Sequence, residues 1–465
     1  MKASRLILPL IALLGAACAP QSPSDRAWKT IYPEIESKIV APTFPDKTYD
    51  IRDFGATTDA VCHEAINAAI AKCSAEGGGR VVVPAGTWTT GALTLLSNVD
   101  LHLEEGAVLL FSDNLDHYPL VRTRWEGMDC YNYSPMIYAF RQENIAVTGK
   151  GTIDGGASKA NWWSMVWNSD TEWEKDRRNT QRYGRPLLME WMIADKPIEE
   201  RRMGHGYGMR PQLVSPFECK NILVEGVTMI RSPFWNLHPV FCENLTVRGV
   251  TFNNEGPNGD GCDPESCNYV LIEDCHFNTG DDCIAIKAGR DEDAHRIEVP
   301  SQNIIVRNCK MNNGHGGVVV GSEIGSGYRN LFVENCDMDS PKLDRAIRIK
   351  TNARRGGVIE HIYVRNVRVG QCKEAVLKIN LIYDQKSVGD ATAYPTVQHV
   401  YLENVTSKKS RFGICVTALA DRSNVHDIYL KDCTFENVEQ EQSISGMCDG
   451  INLENVTITL AQSAE

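Results

Sequence analysis

The sequence predicts an all-β protein: a single right-handed parallel β-helix of about ten coils, with an N-terminal cap that contains a short helix. Three observations lead to this prediction. A strand-like segment recurs along the chain, a small apolar residue closes most of these segments, and the intervals between them are short and uneven. One continuous core then accounts for most of the 465 residues, although that length would usually indicate two or three domains.

The recurring segments alternate apolar and polar residues, which predicts strands with one buried face. They begin at Asn144, Asn221, Asn244, Tyr269, Asn303, Asn330, His361, His399, Asp427 and Gly450. From the second segment onward the starts lie 23 to 38 residues apart. Helical repeats would show a period of about 3.6 residues, and propeller blades would need about 40 residues each. Because loops between coils can grow without disturbing the stack, a β-helix fits these intervals best.

The residues that close the segments should stack above one another in the core. They are Val227, Val250, Cys275, Cys309, Cys336, Val367, Val405, Cys433 and Val456. Cysteine that alternates with valine behaves as a small hydrophobic residue, so we expect these four cysteines to be packed and reduced. Cys262 and Cys267 fall on a predicted loop, where a disulfide between them remains open.

The N-terminal residues predict export. Lys2 and Arg5 precede an apolar run that is too short to span a bilayer, and no later segment is long and apolar enough to do so. The segment GAAC, ending at Cys18, resembles a bacterial lipoprotein signal with Gly15 in place of the usual leucine. We therefore predict a signal peptide over 1–17, a lipid anchor on Cys18, and a place in the periplasm or outer membrane of a Gram-negative bacterium.

The remaining chain divides into a tether and one domain. A polar, proline-rich tether is predicted over 18–45, and the β-helix domain follows over 46–465. Its first part, 46–115, contains an alanine-rich helical stretch and is predicted to cap the open end of the core. The segment 157–213 interrupts the repeats with Trp162, Trp163, Trp167 and Trp173. We interpret it as a functional insertion that walls off one end of a cleft, because solenoid loops enlarge on the binding face.

The formal net charge of −12 argues against a partner surface for nucleic acid or anionic lipid. An acidic ligand must therefore meet a local group of cations. The 16 cysteines include no CxxC pair, and no Cys/His cluster has the spacing of a zinc site.

Charged residues recur at one point of four successive repeats. In order, the repeats carry Asp260, then Asp281 and Asp282, then His315, then Arg348 and Lys350. Asp281 and His315 each lie six residues after a closing cysteine, so they should occupy neighbouring coils on one face. Aspartate beside glycine usually marks only a turn, but chance would not align six such groups in register.

Carboxylates on two sides of a cleft, one protonated and one ionised, are what glycosidic hydrolysis requires. Repulsion between neighbouring carboxylates raises the pKa of one of them and so supplies a proton donor. An inverting enzyme also needs room for a water molecule, and its acid and base stand roughly 6.5–9.5 Å apart.

The motifs NGD (258–260), GDD (280–282), GHG (314–316) and RIK (348–350) resemble those of glycoside hydrolase family 28, the polygalacturonases. The resemblance runs through the repeats from about residue 144, and the cap also looks like that of these proteins. The usual first motif is Asn-Thr-Asp, whereas this chain has Gly259 in place of the threonine.

The resemblance implies a role for each matched residue. Asp281 would be the general acid, Asp260 and Asp282 would activate the water, and His315 would hold the carboxylate network. The residues implied to bind a uronate substrate are Arg348, Lys350, Tyr383, Asn258, Arg354 and Arg355. The resemblance implies no cofactor and no metal ion.

The substrate implied is a pectic polysaccharide or an oligogalacturonide, and GHGGVVVGSE with RIKTNARRGG look more like the exo-acting than the endo-acting members. Action on rhamnogalacturonan or a substituted galacturonan stays open. Two other classes, a pectate lyase and a non-catalytic glycan-binding β-helix, fit the fold but not the aligned acid and base. The oligomeric state is left open.

Overall fold

The computed structural model describes residues 22–166, 180–384 and 391–462. Cys18, with the predicted signal peptide and lipid anchor, lies outside the described residues, as do Trp167 and Trp173. Among the described residues no helix combines the length and apolar character needed to cross a membrane.

The predicted right-handed parallel β-helix is confirmed. Its long sheet has 13 strands in the described chain, one from each coil. They are Thr48–Asp50, Gly79–Val83, Val99–Leu103, Glu143–Gly149, Lys220–Glu225, Glu243–Arg248, Asn268–Glu273, Ser301–Arg307, Tyr328–Glu334, Val358–Arg365, Thr396–Glu403, Ile428–Lys431 and Ile451–Glu454. The coil stack therefore begins before Asn144, since three strands of the predicted cap already belong to this sheet.

Three further sheets complete the coils. The second sheet comprises Gly86–Thr90, Ala107–Phe111, Thr152–Asp154, Thr228–Ile230, Thr251–Asn254, His276–Thr279 and Lys310–Asn313. The third sheet comprises Ile284–Ile286, Val318–Gly321, Arg345–Lys350, Arg368–Val369, Ala375–Asn380, Thr406–Ser407, Ser410–Thr417, Thr434–Ser445 and Thr457–Leu460. A short sheet joins Leu93–Thr94, Ile137–Phe140 and Val214–Phe217. Leu120–Trp125 and Met128–Tyr133 pair antiparallel and are called here the hairpin.

Asparagines at the starts of the repeats explain why the coils stay in register. Asn144, Asn221 and Asn244 adopt left-handed backbone conformations, which asparagine tolerates better than most residues. The side-chain amide of Asn221 donates to Asn144 at 3.0 Å, and that of Asn244 donates to Asn221 at 2.8 Å. Asn330 and Asn303 continue the same ladder at 2.8 Å. These asparagines thus tie several of the coils to a neighbouring coil by a side chain as well as by the sheet.

The closing residues form the expected inner ladder. Cys275, Cys309, Cys336 and Cys433 are buried free thiols among the core residues. Cys262 and Cys267 are also buried free thiols, so no disulfide joins them in the described structure. Cys262 makes β-bridges to the coils on both sides and therefore belongs to the core ladder.

The predicted tether is corrected by the structure. From Pro23 the chain forms a helical segment, Pro23–Arg26, Ala27–Ile31 and Tyr32–Lys38, that packs on the outside of the long sheet. The ring of Trp28 meets Phe332 edge-on with centroids 4.9 Å apart, and the Tyr32 hydroxyl donates to Glu334 at 2.7 Å. The apolar residues Trp28, Tyr32 and Ile35 recur at helical spacing, a signal that the proline-rich composition obscured.

The remaining helices lie at one end of the core and on the loops. The cap helix, His63–Ala75, packs against the first strands of the long sheet, as predicted for a cap. The insertion contains Trp162–Val166, the longer Gln181–Ile193, called here the insertion helix, and Ile198–Glu200. Short helical turns span Ile51–Phe54 and Leu115–His117, and one further helix spans Asp291–Ile297.

Candidate active site

Register between four coils brings the predicted charged residues to one place. Cys262 pairs with Ile284, Ile284 pairs with Val318, and Val318 pairs with Ile347. Asp260, Asp281 with Asp282, His315, and Arg348 with Lys350 stand close to these paired positions in the sequence. They therefore come together on neighbouring coils, as the repeat spacing predicted.

Glycines beside the carboxylates are required by close backbone approach. A Cβ added at Gly259 would lie 2.5 Å from the carbonyl oxygen of Asn254, and one at Gly280 would lie 2.3 Å from that of Gly256. Such contacts force the backbone to shift, so the threonine usual in the first motif does not fit this chain. The glycines let the turns that carry Asp260 and Asp281 pack directly on each other.

The three carboxylates converge more closely than expected. One oxygen from each of Asp260, Asp281 and Asp282 lies within 4.8 Å of an oxygen from each of the others. That spacing of nearest oxygens is shorter than the roughly 6.5–9.5 Å expected between the carboxyl groups of an inverting pair. The separation alone therefore does not select the stereochemical outcome.

Two cations neutralise the innermost carboxylate. Asp282 is fully buried, and its two oxygens meet Lys350 Nζ at 2.6 Å and Arg348 Nη1 at 3.4 Å. Burial would lower the pKa of Lys350, but the charge of Asp282, together with Tyr383 and Asp281, offsets this and raises it. The ring of Tyr383 lies beside both cations, 5.2 Å from Lys350 Nζ and 5.4 Å from Arg348 Cζ.

His315 and Asp281 form a hydrogen-bonded pair at the mouth of the site. His315 Nδ1 lies 3.0 Å from Asp281 Oδ1, and the hydrogen bond raises the pKa of the imidazole, although burial opposes the change. Burial would raise the pKa of Asp281, but the His315 hydrogen bond and the charge of Lys350 lower it to about 2. Without substrate, Asp281 is therefore ionised at neutral pH.

The pKa of Asp260 is shifted in the opposite direction from that of Asp281. Burial raises the pKa of Asp260 well above its usual range, and the charges of Asp263 and Asp281 raise it further. Asp260 is only 3% exposed, whereas 20% of the Asp281 side chain is exposed. Burial thus favours the protonated form of Asp260, whereas its hydrogen bond and nearby cations favour the ionised form of the half-buried Asp281.

A cavity of about 430 Å³ opens above these residues. Among the described residues its lining includes seven arginine or lysine side chains: Arg185, Lys287, Arg290, Arg345, Arg348, Lys350 and Arg355. Its acidic lining is Glu126, Asp260, Asp281, Glu323, Asp344 and Asp384. In a chain of net charge −12, this is the local group of cations that an acidic ligand requires. A larger cavity, of about 960 Å³, lies beside 42–48 on the long sheet and contains none of the predicted site residues.

One side of the cavity is closed by segments outside the coils. Arg185 of the insertion helix pairs with Glu126 of the hairpin turn at 2.6 Å. Arg290 binds the same carboxylate at 3.0 Å and approaches Glu323 at 3.5 Å. These ion pairs join three separate segments that line the cavity.

The tryptophans expected to wall off one end of the cleft have another role. Trp162 is fully buried, and Trp163 packs against the same core and donates its indole N–H to the Ser232 carbonyl at 2.9 Å. Neither lines the cavity. A Cβ at Gly256 would lie 2.4 Å from Trp163, so this ring supports the loop that leads to Asp260. The insertion reaches the cavity through Arg185 instead.

Not all of the other predicted substrate contacts lie in the cavity. Tyr383, Arg355 and Asn258 line the cavity, and the side-chain oxygen of Asn258 accepts a hydrogen bond from the buried Arg210 at 2.7 Å. Arg354 is not part of the lining; it pairs with Glu292 at 2.6 Å, so the structure does not place it with the other site residues.

Sequence reasoning missed Asp263 and Lys287. Asp263 is fully buried, and neither carboxyl oxygen has a hydrogen-bond partner in the described structure. Lys287 lies 4.2 Å from the centre of the Trp235 ring and 3.3 Å from Glu323. Burial would lower the pKa of Lys287, but nearby acidic groups raise it well above the usual range. Both residues follow the quoted motifs within a few positions, but their sequence context does not distinguish them from ordinary turn and strand residues.

Comparisons with known proteins agree on one family. Residues 203–457 match the sequence profile described as glycosyl hydrolases family 28. An exopolygalacturonase structure from Thermotoga maritima is similar, with a TM-score of 0.87 and 38% identity, covering 93% of this chain and 96% of that chain. The exo-poly-alpha-D-galacturonosidase of Dickeya chrysanthemi is 28% identical over 442 residues, 90% of this chain and 72% of that protein. A family 28 exopolygalacturonase structure from Yersinia enterocolitica shares the fold, with a TM-score of 0.67 and 23% identity over 90% of this chain and 76% of that chain.

We predict that Asp263→Asn raises the melting temperature at pH 7 but not near pH 3.5. Burial raises the pKa of Asp263 well above its usual range, so the folded protein retains a proton that the unfolded chain releases. Stability from this group is therefore present below the unfolded pKa and falls as the pH rises towards the folded pKa. Melting curves at both pH values test this, with exposed Asp274→Asn as the control. Equal effects at the two pH values would contradict it.

Proposed function

This chain belongs to glycosyl hydrolases family 28, and we propose that it hydrolyses α-1,4-galacturonosidic bonds of polygalacturonate, releasing residues from a chain end. The observation that carries the substrate class is the group of seven arginine and lysine side chains that line the cavity above the paired carboxylates in an acidic protein. A neutral glycan would gain nothing from this concentration of arginine and lysine, whereas a uronate carboxylate binds guanidinium and ammonium groups directly.

Arg348 and Lys350 are the proposed uronate contacts. Their pairing with Asp282 fixes both side chains in the floor of the cavity before substrate arrives. Each keeps further donors, because a guanidinium has five N–H groups and an ammonium has three. A bound uronate would thus share these cations with Asp282 rather than break a closed ion pair.

Asp281 is the proposed general acid because it is the most exposed of the three carboxylates and can reach a glycosidic oxygen. Its pKa of about 2 without substrate has to rise before it can donate a proton. A uronate bound beside Lys350 offsets the positive charge that holds this pKa down. Substrate would therefore help to protonate the acid that cleaves it.

Asp260 and Asp282 are the proposed partners of the attacking water. A water between them and the sugar would enter opposite the leaving group and invert the anomeric centre. Asp260 carries a proton in the free protein, so binding has to redistribute one proton within the cluster. Because these groups interact strongly, the proton belongs to the cluster as a whole.

The exo mode of action is proposed from the closed end of the cavity. Glu126, Arg185 and Arg290 link the hairpin, the insertion helix and the loop before Asp291–Ile297 across that end. A polymer passing through the site would have to displace these ion pairs, whereas a chain terminus would not. The names of the Thermotoga and Dickeya proteins, both exo-acting, support the same mode.

Export is a separate proposal that rests on the sequence. The charged and apolar N-terminal residues and Cys18 favour a lipoprotein anchored in a Gram-negative envelope. Labelling of cells with a radioactive fatty acid should mark the parent protein but not Cys18→Ser. Equal labelling of the two proteins would exclude lipidation at this position.

We predict that polygalacturonate yields monomer first, with inverted configuration at the anomeric carbon. Proton NMR of the first product, recorded before mutarotation, reads the configuration, and chromatography reads the product length. Asp281→Asn should lower kcat roughly 10²–10⁴-fold while the circular dichroism stays unchanged, since it removes a proton donor without altering volume. Retained configuration, oligomers as first products, or unsaturated products absorbing in the ultraviolet would each contradict part of this proposal.

We predict that Lys350→Met costs about 2–4 kcal/mol in kcat/KM on polygalacturonate, because a buried charge contact is lost. Part of this penalty reflects Asp282, which loses its shortest ion pair. Methyl-esterified polymer should be a poor substrate for the parent protein. The exposed Lys342→Met is the matched control and should leave kcat/KM unchanged. Equal cleavage of esterified and free polymer would show that uronate charge is not recognised.

A further inference from the structure

We propose that Arg345 is a positioning residue of the hydrolytic site: it holds the backbone of His315 so that the imidazole stays on Asp281. The inference deepens the proposed function, since it takes Asp281 as a reacting group. Arg345 also lines the cavity, but its positioning role is exerted through His315, and no hydrogen bond or ion pair joins it to Asp281 in the described structure.

The turn that carries His315 needs an external support. Gly314 precedes it, and Gly316 and Gly317 follow it, so the local backbone is intrinsically permissive. The His315 side chain is 53% exposed, so packing does little to fix the ring. Hydrogen bonds to the backbone must therefore set where this imidazole lies.

Three of the hydrogen bonds that hold this turn join Gly314 and His315 to the neighbouring coils. The His315 N–H donates to the Asp281 carbonyl at 3.0 Å, on one side. On the other side, the Asp344 N–H donates to the Gly314 carbonyl at 2.9 Å. Arg345 Nη1 donates to the His315 carbonyl at 3.1 Å. Arg345 supplies the only side-chain donor among these three bonds.

Arg345 is itself held in place by acidic side chains. Nη1 also contacts Asp344 at 3.2 Å, and Nη2 forms an ion pair with Glu374, which immediately precedes the next strand of the third sheet, Ala375–Asn380. Glu374 in turn pairs with Lys378. A planar guanidinium can serve a carbonyl and two carboxylates at fixed angles, which a single ammonium cannot do.

The pKa of His315 reports whether its imidazole is still hydrogen-bonded to Asp281. The charged groups that face its ring are Asp281, Asp282 and Asp344, with Arg345 beneath the backbone. Loss of the Arg345 charge alone would leave these acids less compensated and raise the pKa of His315. Loss of the hydrogen bond to Asp281 would lower that pKa towards the ordinary value. The two effects have opposite signs, so they can be told apart.

The test is an NMR titration of the histidine ring protons in the parent, Arg345→Gln and Arg345→Lys, with His315 assigned by His315→Asn. We expect the pKa of His315 to fall in both Arg345 variants, including the one that keeps the charge. Arg368→Gln is the matched control, because Arg368 is an exposed arginine paired with Asp337 and outside the cavity. An unchanged or higher pKa of His315 in Arg345→Lys would overturn the proposal.

Kinetics provide the second measurement. We expect kcat on polygalacturonate to fall about 100-fold in Arg345→Gln with little change in KM, since a misplaced group costs this much in the chemical step. The double variant with His315→Asn should have about the same kcat as His315→Asn alone, because both substitutions act through the contact between His315 and Asp281. If an Arg345 variant fails to fold, Glu374→Gln takes its place. This substitution removes the ion pair that holds Arg345 and should also lower kcat. If the parent does not cleave polygalacturonate, the proposed function fails while the titration still decides the role of Arg345.

Discussion

The parallel register between coils is the constraint on which the site depends. Hydrogen bonds fix Cys262 beside Ile284, Ile284 beside Val318 and Val318 beside Ile347. A shift of one residue would turn the side chains of a strand to the opposite face and remove its catalytic group from the cavity. The asparagine ladder on the long sheet resists such a shift, because Asn221 and Asn244 each donate a side-chain amide to the asparagine of the preceding coil.

Charge balance is the second constraint. Burying several carboxylates together is unfavourable unless cations or protons compensate them. Asp282 is compensated by Lys350 and Arg348, while burial raises the pKa values of Asp260 and Asp263 and favours their protonated forms. The same cations face the cavity, so the groups that make the buried cluster tolerable also provide the attraction for an acidic ligand.

Segments outside the coils give this protein its particular cavity. The coils alone form an open surface, which the hairpin, the insertion helix and the residues near Arg290 close at one end. Tryptophans in the insertion suggested such a wall, but Trp162 and Trp163 pack inward and support the loop to Asp260. Large aromatic rings gain more from burial than from lining a polar cavity, which explains this difference.

The sequence by itself determined the β-helix and the grouping of Asp260, Asp281, Asp282, His315, Arg348 and Lys350, because strand periodicity and repeat spacing are local properties. Which charges are paired, buried or exposed depends on contacts between coils. Arg354 turns to Glu292 while the adjacent Arg355 faces the cavity, and Asp263 has no hydrogen-bond partner among the described residues. The helical segment over 23–38 packs on the long sheet because its apolar face finds Phe332 and its neighbours, which are distant in sequence. Ionisation and docking depend on groups from several coils at once, so the order of residues along one chain segment does not specify them.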